Sequence, residues 1–263
     1  MSAPVISFEG VVALLGRFPA LSGIDLRIDR GEIVLLRGAN GSGKTTVLRA
    51  CAGLVPVTHG LARVLDTPLP ARSTDLRTLR RRIGLLGHAG FLYEDLTVEE
   101  NVRFAVRAAG LDGASVSEAL TRLGLDGRLR TQSVASLSAG QRRRTALAPI
   151  LARRPELWLL DEPHAGLDAE SRDLLDGLLR DVVRGGATVV FASHELDRAE
   201  AVATRTIVLG GGHAVTAEPA SPSRTGSTRP ASPHPATPHP ASAHPESAHP
   251  ESAHPASVVA RVA

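Results

Sequence analysis

The chain has 263 residues, 43% of them hydrophobic and 22% charged, with 30 Lys and Arg against 27 Asp and Glu and a formal net charge of +3. This composition is ordinary for a globular protein and allows one large domain or two small ones. The single cysteine, Cys51, excludes an internal disulfide and fits a reducing compartment. No apolar run approaches the roughly 20 residues that span a bilayer, and no basic-then-apolar start marks a signal peptide. If the protein moves something across a membrane, another chain supplies the path.

Two strand-like segments open the chain, around Val5 to Leu15 and Leu21 to Ile28. They suggest an antiparallel flap where an adenine ring would rest, with Phe18 or Leu15 as its platform. Ile33-Val34-Leu35-Leu36 is a short apolar run that reads as a buried strand. It leads into Gly38-Ala39-Asn40-Gly41-Ser42-Gly43-Lys44-Thr45, which has the spacing of a phosphate-binding loop. Gly38, Gly41 and Gly43 let the backbone bend round a phosphate with its N–H groups inward. The helix opening at Thr46-Val47-Leu48, stopped by Gly53, adds its positive dipole end. Lys44 is the only lysine in a chain rich in arginine, kept where a compact ammonium fits and a planar guanidinium does not. It would reach the β- and γ-phosphates, and Thr45 would offer an oxygen to Mg²⁺. Cys51, on this helix, reads as a small buried apolar residue.

Thr97 with Glu100 reads as a capping box. Apolar positions at helical spacing follow (Val102, Ala105, Val106, Leu120, Leu123), broken by glycines at 110, 113, 124 and 127. This suggests a small helical subdomain inserted between halves of the sheet. Next, Ser138 is a sound N-cap, and Gly140 permits close backbone approach at what reads as a second anion site. Pro149 lies inside that helix and removes a hydrogen bond or kinks it. The clusters Arg80-Arg81-Arg82, Arg142-Arg143-Arg144 and Arg153-Arg154 come with few aromatics, so no nucleic-acid partner is expected. They read as solvated or subunit-facing basic patches.

Leu157-Trp158-Leu159-Leu160 is an apolar strand ending in Asp161 and Glu162. At the carboxyl end of a parallel strand Asp161 can hold Mg²⁺ beside Thr45, and Glu162 can orient or deprotonate an attacking water. His194 ends another buried strand, Thr188 to Ser193, where it could meet a γ-phosphate. After about Val215 the composition turns to Pro, Ser, Ala, Thr and His, with His234, His239, His244, His249 and His254 recurring every five residues. This reads as a solvated, disordered, repeat-expanded tail, 216–263, rather than a Zn²⁺ site.

Together these residues resemble the ATP-binding cassette (ABC) ATPases, over residues 5 to about 212. The resemblance implies a P-loop α/β core with a mostly parallel sheet, an N-terminal antiparallel β subdomain and a helical subdomain at about 90–155, all within residues 1–215. Gly38, Asn40, Gly41, Ser42, Gly43, Lys44, Thr45 and Thr46 are the implied phosphate-loop contacts to ATP. Leu137-Ser138-Ala139-Gly140-Gln141 is similar to the family signature. Ala165-Gly166-Leu167-Asp168 looks like the D-loop, Asp161 the Mg²⁺ carboxylate, Glu162 the catalytic carboxylate and His194 the switch histidine. A homodimer or heterodimer with Ser138 and Gly140 acting in trans is implied. So are membrane subunits that it drives, and a cytoplasmic place on the inner face of the cell membrane. Leu86 to Gly90 and Leu137 to Arg144 look most like the haem-exporter ATPase of cytochrome c maturation. With Ser138, Gly140, Gln141 and Asp168, His88 is an implied contact of the nucleotide site. It stands where the Q-loop glutamine usually lies, and since Mg²⁺ prefers oxygen ligands the resemblance carries over coupling to the membrane partner rather than a metal contact. The aromatic residue of the family's A-loop has no counterpart, which leaves Phe18 or Leu15, and Pro149 replaces a usual arginine or similar residue. Other small-molecule transporter ATPases and a soluble, non-transport ABC ATPase are the alternatives.

Overall fold

The computed structural model describes residues 3–70, 72–87 and 90–219. The first half of the chain gives β1 (Ile6–Leu15), β2 (Phe18–Ile28), β3 (Ile33–Arg37), α1 (Lys44–Cys51), β4 (Val57–Val64), β5 (Thr67–Leu69), α2 (Ser73–Arg81) and β6 (Ile83–Leu86). The second half gives α3 (Val98–Ala108), α4 (Val116–Arg122), α5 (Ala139–Arg153), β7 (Leu157–Asp161), α6 (Ala169–Arg184), β8 (Thr188–Ala192), α7 (Leu196–Val202), β9 (Arg205–Gly210) and β10 (His213–Pro219). An antiparallel sheet has the order β2-β1-β4-β5, and a six-stranded sheet the order β10-β9-β3-β8-β7-β6. The latter is parallel from β9 to β6, with β10 antiparallel on its edge.

The apolar runs of β3, β7 and β8 are buried on both faces because successive side chains enter different cores. Val34, Leu36, Leu157, Leu159, Val190 and Ala192 face a core shared with α1 and the antiparallel sheet. Ile33, Leu35, Trp158, Leu160, Val189 and Phe191 face a core shared with α3 to α7. A charge placed at any of these positions would therefore have no solvated side to turn to.

The helical insert starts at the expected capping box, in which Thr97 Oγ1 accepts from the Glu100 N–H at 3.2 Å and Glu100 Oε2 accepts from the Thr97 N–H at 2.9 Å. The expected glycine breaks fall between α3, α4 and the turns after them. Helix α5 runs through Pro149. Strand β10 continues to Pro219, so the boundary expected at 215 falls inside a strand. The tail from residue 220 onward, with its histidine repeat, lies outside the described residues. Among the described residues no helix is long and apolar enough to cross a membrane.

The arginine clusters depart from expectation. Arg82 pairs with Glu156 and also donates to the Leu65 carbonyl at 2.9 Å. Arg144 donates to the carbonyls of Leu123 and Gly124, and Arg153 to those of Arg80, Arg81 and Ile83. Arg142 reaches the Ala135 and Leu137 carbonyls and Glu94, and Arg143 is buried. Most of these guanidiniums tie loops and helix ends to the core, a task their five-donor fork suits and a charge count does not reveal.

Candidate functional site

Strand order places the chemistry. β3 pairs with β8 and β8 with β7, and Leu36, Ala192 and Asp161 lie in register. All three strands run the same way, so the phosphate loop, His194 and the Asp161-Glu162 pair leave the sheet side by side at its carboxyl edge. An open space of about 390 Å³ there is lined by Leu15, Ala20, residues 40–46, Asp161, Glu162 and His194. Leu15 rather than Phe18 faces the loop; Phe18 is 79% exposed.

The loop is shaped by its glycines. Gly38 has φ 152°, and a Cβ there would meet the Leu209 carbonyl at 2.3 Å. Gly43, the N-cap of α1, has φ 102° and brings no side-chain cap to the helix's first N–H groups. Ser42 Oγ is buried without a partner among the described residues. An anion bound over the loop would satisfy these donors, so the residues fit a phosphate. The Lys44 ammonium is folded onto its own loop, donating to the Gly38 and Ala39 carbonyls at 2.7 and 3.0 Å.

Thr45 Oγ1 donates to Asp161 Oδ2 at 2.8 Å, bringing together two oxygen ligands of the kind Mg²⁺ takes. Glu162 follows with φ 52°, a left-handed backbone unusual for a residue with a Cβ. Its N–H still donates to the Ala192 carbonyl at 2.9 Å, so it is anchored to β8 while its side chain swings off the strand. The carboxylate accepts from the His194 N–H at 3.1 Å, and His194 Nε2 lies 3.3 Å from Oε1. The His194 ring is half-exposed, free to meet a ligand over the loop.

Ser138, Gly140, Gln141 and Asp168 do not line that space. They form a second group where the start of α5 meets the turn before α6. Ser138 Oγ accepts from the Gln141 N–H at 3.2 Å, and Gln141 Oε1 accepts from the Ser138 N–H at 2.9 Å. A Cβ on Gly140 would lie 2.9 Å from the Gly166 carbonyl, which is why glycine stands there. Asp168 caps α6, accepting from the Ser171 N–H at 2.8 Å; the Ser171 hydrogen bonds hold its carboxyl below the usual range. His88 lies outside the described residues.

A family model described as ABC transporter matches residues 21–165, more than half of the chain. The chain belongs to the ABC transporter family. It is an ATP-binding, ATP-hydrolysing subunit of such a transporter. It is 40% identical over 198 residues to the cytochrome c biogenesis ATP-binding export protein CcmA of Bordetella bronchiseptica, covering 74% of this chain and 87% of that one. It is 38% identical over 219 residues to the hemin import ATP-binding protein HmuV of Streptomyces coelicolor, covering 81% and 77%. The dimeric structure of a bacterial ABC transporter cassette superposes with a TM-score of 0.76 at 28% identity, over 82% of this chain and 99% of that one.

One residue of this ABC ATPase that bears on the site escaped the sequence reading. Arg143, counted there among surface arginines, reaches from α5 across the end of β7. Its guanidinium donates to the Asp161 carbonyl, to the Glu162 carbonyl at 2.6 Å and to the Gly87 carbonyl at 2.9 Å. Burial pushes its pKa down, and the nearby Asp161 and Glu162 oppose that shift. Its helical position beside buried Leu147 and Ala148 was the available signal. Arg143→Leu is expected to cost on the order of 2–3 kcal/mol, read as a lower denaturant midpoint, because charge-assisted bonds to buried carbonyls are lost together. Arg143→Lys should recover little of it, since one ammonium does not span three carbonyls set by a fork.

Proposed function

We propose that this subunit hydrolyses ATP as one half of a head-to-tail pair, each nucleotide lying between one copy's phosphate loop and the other's α5 N-terminus. The observation carrying this is the division of the site: one chain gathers residues 40–46, Asp161, Glu162 and His194, but leaves Ser138, Gly140, Gln141 and Asp168 elsewhere. The dimeric state of the superposed cassette supports the same reading.

In the proposed roles, Lys44 leaves its loop carbonyls for the β- and γ-phosphates, which the loop N–H groups and the start of α1 also bind. Thr45 and Asp161 would hold Mg²⁺, which neutralises charge across the β- and γ-phosphates when bound. Glu162 accepts a proton from the attacking water, and His194 keeps that carboxylate aimed while its ring meets the γ-phosphate. Ser138 and Gly140 of the other copy close over the same phosphate.

The transported substrate is proposed to be haem, exported for cytochrome c maturation, as the name of the 40% relative suggests. The 38% relative named for hemin import favours the second reading, the same cargo moved inward. Deleting the gene separates them: loss of haem-bearing c-type cytochromes with hemin uptake intact supports export, and the converse supports import. A Lys44→Ala copy should restore neither.

The membrane subunit is proposed to dock in an apolar groove of about 470 Å³ that begins at the end of β6 and includes Phe91, Tyr93, Phe104 and Ile150. Phe91 is 94% exposed, and the Tyr93 and Phe104 rings meet edge-on at 5.1 Å. A second groove shares Ala105 and Arg153 with it and adds Arg77, Arg80 and Arg81, suiting an acidic flank on that partner. This docking would hold the protein at the inner face of the membrane. Phe91→Asp with Phe104→Asp should abolish co-purification with the membrane subunit while basal ATP turnover of the soluble protein stays within about twofold, since neither ring touches the nucleotide space.

A further inference from the structure

The turn from Glu162 to Asp168 is held at its centre by a buried histidine. His164 is 1% exposed, and its Nε2 lies 2.8 Å from Asp176 Oδ1 on α6. Asp176 Oδ2 lies 2.8 Å from the Arg198 guanidinium on α7, which also pairs with Asp173. The chain of contacts thus starts two residues after Glu162 and ends four residues after His194. A second tie runs parallel to it, Arg172 of α6 to Glu195 at 3.0 Å. The imidazole also packs edge-on against Phe191 of β8, ring centres 6.3 Å apart.

The form of His164 follows from its surroundings. Nδ1 is buried with no partner among the described residues. A proton on it would be a stranded donor, so Nε2 is the ring nitrogen that donates to Asp176. A buried carboxylate that receives both an imidazole N–H and a guanidinium is a rigid junction, because loosening either arm leaves a charge short of partners.

The junction joins the two segments whose side chains meet over the phosphate loop. The Glu162 carboxylate and the His194 ring approach at 3.3 Å, yet Glu162 sits in a left-handed backbone that its neighbours must maintain. The same turn presents the Gly166 carbonyl to Gly140. We infer that His164 is a positioning residue for hydrolysis: through Asp176 and Arg198 it fixes the catalytic carboxylate's turn relative to the turn bearing His194. This rests on the roles proposed above for Glu162 and His194.

The test is steady-state ATP turnover with thermal unfolding on the full chain for His164→Leu, His164→Gln, Arg198→Leu and Glu162→Gln. His164→Leu fills the site without a donor, whereas Gln sets an amide N–H near the Nε2 position. The expected result is a kcat about tenfold lower for His164→Leu and Arg198→Leu, with KM for ATP within about twofold and the melting temperature within a few degrees, since small misplacements of reacting groups are costly. His164→Gln should return to within about threefold of the parent. The inference is overturned if His164→Leu keeps the parental kcat, or if kcat falls only alongside melting temperature and Gln restores neither. If Glu162→Gln itself turns over ATP normally, the underlying site reading fails as well; if it is inactive while His164→Leu is not, only the positioning role fails.

Discussion

Glu162→Gln should lower ATP turnover by roughly 10²–10⁴-fold and leave nucleotide affinity within a few-fold of the parent. The size follows from what changes. An amide keeps the shape of the carboxylate and can still accept from the His194 N–H, now 3.1 Å from Oε2. It has no basic oxygen to take a proton from water. The groups proposed to bind the phosphates, Lys44 and the loop N–H donors, are untouched, as is the Thr45–Asp161 pair. Binding and chemistry should therefore separate: fluorescent ATP analogue titration barely moves, phosphate release nearly stops, and the ATP-bound pair accumulates on a sizing column. Parallel loss of affinity and turnover would mean that Glu162 holds the loop together rather than serving the water.

Why some of this was legible in the sequence and some was not is a matter of range. The phosphate loop, the capping box at Thr97, the N-cap at Ser138, and the strands ending at Asp161 and Ala192 depend on neighbours within a few residues, so spacing and residue type report them. Strand β6 shows the opposite case. Ile83-Gly84-Leu85-Leu86 is four residues long and carries a glycine that local rules treat as a turn former. Its reason lies elsewhere: a Cβ on Gly84 would sit 2.3 Å from Ile150 Cγ2, so close packing against α5 selects glycine within a strand. Arg143 and His164 are alike in this respect. Only its helical spacing to Leu147 sets Arg143 apart from Arg142, and that spacing names no partner; the fold brings the ends of β6 and β7 under its guanidinium. Asp176 lies on a helix twelve residues beyond His164, and Arg198 on another element again. Cys51 came out as expected from its place on an apolar helix face: it is fully buried, and burial pushes its thiol pKa up, far from reactive.

Mixing two inactive variants should restore turnover, and this outcome decides how the two groups of site residues belong together. Lys44→Ala removes the ammonium proposed to meet the phosphates, and Ser138→Arg replaces the hydroxyl cap of α5 with a long cation. Each alone should be nearly inactive, because both sites of a homodimer are damaged. In a head-to-tail heterodimer one site combines both lesions, while the other combines an intact loop with an intact α5 start. Random assortment makes about half of the pairs mixed, each with one good site, so the mixture should recover up to about a quarter of parental turnover if the sites act independently. If Ser138 instead served the loop of its own chain, every site would keep one lesion and mixing would restore nothing. The geometry within one chain already favours the first outcome. The α5 start is built as a rigid unit of its own, with the Ser138–Gln141 box closed, Gly140 against the Gly166 carbonyl and Asp168 capping α6. None of those groups lines the space over Lys44. A helix start so organised, lining none of the space over Lys44 among the described residues, suits the proposed role of closing over another copy's phosphate.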